Sequence, residues 1–95
     1  MKKYIVTQAA KRDLMAIAQY GDENYGIEKS DQYRDKLEQR FVSMAEQPYL
    51  YPAVDHIHDG YRRSVFGAHS IYYKIEGQGI AIMRILNRQD PDKAF

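Results

Sequence analysis

The segment from Gly60 to Asp90, GYRRSVFGAHSIYYKIEGQGIAIMRILNRQD, constrains the fold more than any other part of this 95-residue chain. Three runs rich in Val, Ile, Tyr and Phe are separated by two glycine-bearing turns, Phe66-Gly67-Ala68-His69 and Glu76-Gly77-Gln78-Gly79. Three such strands joined by two short turns predict an antiparallel meander. In the second strand Ile71, Tyr73 and Ile75 share one face, opposite Ser70, Tyr72 and Lys74. Strict alternation in the third sets Ala81, Met83 and Ile85 against Ile80, Ile82, Arg84 and Leu86, so both faces are largely apolar and the strand is expected to be central. Arg84 is the exception in that strand, because its guanidinium is always charged. It either pairs with a helix carboxylate or belongs to a functional surface.

The N-terminal half reads differently. Lys3 to Val6 form a short opening strand, and Thr7 has the side chain to cap a helix that starts at Gln8. Ala10, Leu14, Ile17, Ala18 and Tyr25 recur at helical spacing and predict a stripe facing a core, with Gly26 as the C-cap. A second helix is expected from Ile27 or Glu28 to about Gln47, since Tyr33, Leu37, Phe41 and Met44 line one side and Pro48 ends the run. Two helices with so short a link pack as an antiparallel hairpin. Residues 48–59 hold two prolines and little periodicity, so they form an irregular connection. The result is a single α+β domain over residues 1–95, of order β-α-α-β-β-β, with the N-terminal helical hairpin packed on a small antiparallel sheet.

Charge narrows the function classes. The chain carries 14 Lys and Arg against 13 Asp and Glu, which is not the strong positive field of a nucleic-acid binder. Between Gly60 and Arg88, however, Arg62, Arg63, Lys74, Arg84 and Arg88 face the single acid Glu76, so one region is basic within a near-neutral molecule. The absence of cysteine removes disulfides, thiolate metal sites and thiol nucleophiles. The apolar run Tyr4-Ile5-Val6 is too short for a signal peptide or a membrane span, and a cytoplasmic protein with no membrane association is expected. Nine tyrosines and no tryptophan favour a protein that binds another protein.

Direct chemical motifs are weak. His56 and His58 in Asp55-His56-Ile57-His58-Asp59 match no common zinc spacing and have no evident third ligand, so no metal and no cofactor are expected. No serine lies in a nucleophile elbow, and Gly77-Gln78-Gly79 joins strands rather than opening a helix over a phosphate. Metal-independent RNA cleavage needs only cations and a proton carrier, which Arg62, Arg63, Arg84 and His69 could supply.

The combination G-Y-R-R, then F-G-x-H-x-I-x-Y, then I-x-I-x-R-I-L, with Asp90 beyond it and a helical hairpin before it, resembles the ParE branch of the RelE/ParE toxin superfamily over nearly the whole chain. The resemblance implies the same element order. It also implies the toxin of a bacterial toxin–antitoxin module that acts on DNA gyrase by binding, held inactive by a ParD-like antitoxin through which the pair reaches DNA as a hetero-oligomer. The RelE branch, which cleaves ribosome-bound mRNA, is the alternative, and a toxin fold that serves only to bind its antitoxin is another. RelE-like nucleases carry a tyrosine near the C-terminus, whereas residues 87–95 here contain none, and Asn87 stands where many relatives have histidine. These departures favour the gyrase-directed branch. On this reading Arg62, Arg63, His69, Arg84, Asn87 and Arg88 are candidates for contacting the target, no residue is catalytic, and Tyr4, Leu14, Tyr20 and Tyr33 are candidates for an antitoxin groove between hairpin and sheet.

Overall fold

The computed structural model describes residues 3–88. The elements are β1 (Tyr4–Val6), α1 (Gln8–Tyr25), α2 (Ile27–Glu46), β2 (Arg62–Phe66), β3 (His69–Glu76) and β4 (Gly79–Asn87). Thr7 caps α1 as its sequence position predicts, its hydroxyl accepting from the Ala10 amide at 3.2 Å. Gly26 both ends α1 and precedes α2, with a φ of 90° that a side chain would disfavour. One residue therefore turns the hairpin.

The sheet order is β1-β4-β3-β2. β2, β3 and β4 form the expected antiparallel meander, while β1 lies parallel to β4, pairing Tyr4, Ile5 and Val6 with Ile80, Ala81 and Ile82. The sheet is thus mixed rather than wholly antiparallel, since the two helices carry the chain across before the meander begins. β4 is central, flanked by β1 and β3.

The core fills the space between α1, α2 and one sheet face: Leu37, Phe41, Met44 and Ala45 from α2 meet Ile71 and Tyr73 from β3 and Ile80, Ile82 and Ile85 from β4. Ile85 is a departure from strict alternation, which places it opposite Ile80 and Ile82. Tyr72 pairs with Arg84 but Tyr73 with Ile82, so Met83 is an extra residue in β4. This bulge reverses the facing of everything after it and brings Ile85 back to the core side. Tyr25 also departs from its expected place: it is exposed, with all of residues 22–29, at the hairpin tip, and its ring lies edge-on to Tyr20. Tyr72, Ala81 and Val54 are buried outside the main cluster.

Candidate functional site

β1 stops at Val6, so beyond Ile82 the edge of β4 has no neighbouring strand among the described residues. Polar side chains take over there. The Thr7 hydroxyl donates to the Met83 carbonyl at 3.1 Å, and the Ile85 amide donates to Asp13 Oδ2 at 2.9 Å. Asp13 also accepts two bonds from Arg84, Nε to Oδ2 at 2.8 Å and Nη2 to Oδ1 at 3.1 Å. The hydrogen bond to Asp13 raises the Arg84 pKa further above its already high value. This pair answers the question that Arg84 posed in the sequence: a helix carboxylate holds it. The signal was available, since Asp13 sits beside the core-facing stripe of Ala10, Leu14 and Ile17 on α1.

Past that polar edge the helices part from the sheet and leave a groove of about 850 Å³. Ala16, Ile17 and Tyr20 of α1 form one wall, Lys29, Ser30 and Tyr33 of α2 a second, and Ala68, His69, Ile85, Leu86 and Asn87 the sheet end. Tyr33 is the post at its centre. Its hydroxyl lies 2.7 Å from His69 Nδ1 and 3.2 Å from the Phe66 carbonyl, which ties α2 to the β2–β3 turn. Gly67 makes room for it: φ is 55°, and a Cβ at that position would come within 2.8 Å of the Tyr33 hydroxyl. Burial pushes the Tyr33 phenol pKa up, offset in part by the Ala68 backbone hydrogen bond. Burial pushes the His69 pKa below 6.5, favouring the neutral imidazole.

Of the residues expected at an antitoxin groove, Tyr20 and Tyr33 line the groove seen here, whose occupant the structure does not contain. Tyr4 and Leu14 pack on the core instead, with the Tyr4 ring 5.5 Å from Phe41, because β1 is the edge strand under the second half of α2. Lys29, Ile17 and Leu86 were not anticipated; Lys29 lies one helical turn before Tyr33.

The expected target-contacting residues divide into groups. His69 and Asn87 line the groove and are cross-strand partners. Arg88, exposed, follows Asn87 and donates its backbone N–H to the Ala68 carbonyl. Arg62 and Arg63 point to opposite faces. Arg62 shares the side of Tyr73, donates to the Tyr51 carbonyl at 2.6 Å and lies 4.9 Å from the Tyr49 ring, fastening the 47–61 connection. Arg63 stands in a row with Tyr72 and Arg84 across β2, β3 and β4, and no carboxylate among the described residues pairs with it. The four arginines do not form a single basic face.

No group of three potential metal ligands occurs among the described residues, and none of the described helices is long and apolar enough to cross a membrane.

Comparison with known proteins adds the lineage. The family model of the ParE toxin of the type II toxin-antitoxin system parDE matches residues 4–91. Toxin ParE1 of Caulobacter vibrioides is 31% identical over 88 residues, covering 93% of this chain and 91% of that protein. Toxin ParE1 of Mycobacterium tuberculosis is 30% identical over 93 residues, covering 96% and 95% respectively. Among solved structures, the chromosomal ParDE system from P. aeruginosa superposes with a TM-score of 0.79 at 20% identity over 92% of this chain and 96% of that one. A conserved hypothetical protein from Helicobacter pylori has the same general fold, with a TM-score of 0.51 at 9% identity over 93% and 96%. Two helices on a mixed four-stranded sheet and these matches over nearly the whole length lead to one assignment: the chain belongs to the ParE toxin family of type II toxin–antitoxin systems.

Proposed function

We propose that the chain is a cytoplasmic toxin that poisons DNA gyrase by binding it, without breaking bonds of its own, and that a ParD-like antitoxin silences it by occupying the groove between hairpin and sheet. The groove is the observation that carries the antitoxin half. It is about 850 Å³, mostly apolar along α1 and β4, and flanked by the exposed rings of Tyr20 and Tyr25, a surface suited to the apolar face of an amphipathic helix. Binding rather than RNA cleavage is supported by how the arginines are used. A nuclease of this fold needs free guanidinium groups around a phosphate, yet Arg84 is held by Asp13 and Arg62 by the Tyr51 carbonyl. Arg63 and Arg88 then remain for the target.

A plasmid supercoiling and cleavage assay with purified gyrase tests this. Wild-type protein is expected to trap double-strand breaks, the folded Arg63→Ala and Arg88→Ala variants to trap fewer, and the cognate ParD-type antitoxin to abolish the effect. Cleavage of mRNA in a translation extract, with gyrase untouched at large toxin excess, would transfer the protein to the ribonuclease reading with His69 as its proton carrier.

A further inference from the structure

We infer that the groove reads a carboxylate: the antitoxin segment that fills it is an amphipathic helix placing an Asp or Glu between Lys29 and His69. This deepens the antitoxin reading above and rests on it. The occupant's conformation follows from the edge of β4. A strand laid against that edge would need its free backbone groups, but the Ile85 amide is engaged by Asp13 and the Met83 carbonyl by Thr7. Pairing by strand addition is therefore blocked where the groove runs, and recognition falls to side chains.

The chemistry of those side chains is divided between the walls. Ala16, Ile17 and Tyr20 on α1 face Ile85 and Leu86 on β4, which makes one side apolar. The opposite side, from α2 and the start of β3, presents Lys29, Tyr33 and His69. Among the described residues Asp13 is the only carboxylate lining the groove, and its two oxygens are occupied by Arg84 and the Ile85 amide. Lys29 has no acidic partner among the described residues, so its positive charge is unmatched. With Nδ1 accepting from the Tyr33 hydroxyl, the neutral His69 ring carries its proton on Nε2, and no described hydrogen bond engages that N–H. Arg88 adds a second cation beside the same end. A helix with an apolar stripe and one acid beside it complements this arrangement, and the stripe and the acid together fix its rotation.

The test is calorimetric titration of the full chain with the intact cognate ParD-type antitoxin, at about 50 and about 300 mM salt, across which screening changes strongly. Ala16→Arg blocks the apolar side and Lys29→Glu reverses the charge; both sites are exposed, and thermal melts verify that each variant is folded. Ala16→Arg is expected to remove measurable binding. Lys29→Glu is expected to weaken it by roughly tenfold or more, with much of the salt dependence gone, and one acid-to-lysine change in the antitoxin should restore it. If Ala16→Arg fails to bind while Lys29→Glu binds like wild type at both salt concentrations, the carboxylate reading is overturned and the groove reading stands. If Ala16→Arg also binds like wild type, the antitoxin does not use this groove and both readings fall.

Discussion

The same two helices meet the sheet in two different ways. Over the second half of α2 the interface is closed: Leu37, Phe41 and Met44 are each no more than 1% exposed, and Tyr4 from β1 reaches in beside Phe41. Over the hairpin tip it is open: Tyr20 is 60% exposed, and the space between helix and strand is a groove. The difference lies in a three-residue strand. Where β1 pairs with residues 80–82 of β4, it brings Tyr4 and Val6 into the interface. Where β1 has ended, Thr7 and Asp13 satisfy the edge with polar groups. One end is sealed by apolar packing and the other is left open.

The severest challenge to this division is Phe41→Ala. Removing that ring empties the closed end and strips Tyr4 of its edge-on partner, so a loss of about 3–5 kcal/mol is expected in urea unfolding. For a domain of this size such a loss approaches the whole stability. A cost below about 1 kcal/mol would mean that the closed end is no better packed than the open one.

Asp13→Ala tests the boundary between the two. It orphans the Ile85 amide and leaves Arg84 without its carboxylate, for an expected cost of about 2 kcal/mol, reduced from fully buried cases because the Arg84 side chain is 34% exposed. Asp13→Asn keeps an acceptor for Ile85 and should lose less. Urea midpoints of the two variants check the order; equal stability in Asp13→Ala and wild type would show that the edge needs no cap.

How far the sequence spoke for each region follows from the same contrast. The closed end was legible because it is periodic: Leu37, Phe41 and Met44 at helical spacing, Ile71 and Tyr73 at strand spacing, and each went where its period pointed. Thr7 and Gly26 were legible because caps and turns are local chemistry. The bulge at Met83 was not, since an extra strand residue carries no compositional mark, and it moved Ile85 to the other face. The parallel placement of β1 depends on a contact between the two ends of the chain, which no local pattern encodes. At the groove, Tyr20 and Tyr33 could be picked out as amphipathic tyrosines, but Tyr4 looked the same and is core. Lys29 carries no mark of its own in the sequence, and only the position of the sheet end makes it a wall.

A smaller effect comes from His69, the ionisable link between the groove and the fold. Its folded pKa lies below 6.5 because burial favours the neutral ring. The unfolded chain then binds more protons just below pH 6.5, so this contribution is fully present above that pH and is lost as pH falls through the folded value. His69→Gln should flatten part of the fall in urea midpoint between about pH 7 and pH 5. An unchanged slope would mean that His69 is as hydrated as in the unfolded chain, and the tie to Tyr33 would not shield it.

Tyr20→Ala carries the smallest expected stability change, within about 0.5 kcal/mol, and for that reason it sharpens the comparison most. A tyrosine normally contributes to folding by burying its ring, and this one leaves 60% of its surface in water. Its ring contact is with Tyr25, which is 62% exposed, so neither ring seals the core. Such a pair gains little in the free protein but offers a large, stiff apolar surface to an arriving helix. Thermal melting should therefore leave Tyr20→Ala beside the wild type while antitoxin affinity falls by roughly tenfold or more. Loss of stability on the scale of Phe41→Ala would place the hairpin tip with the core after all; unchanged affinity in a stable variant would leave the exposed tyrosines without a binding role.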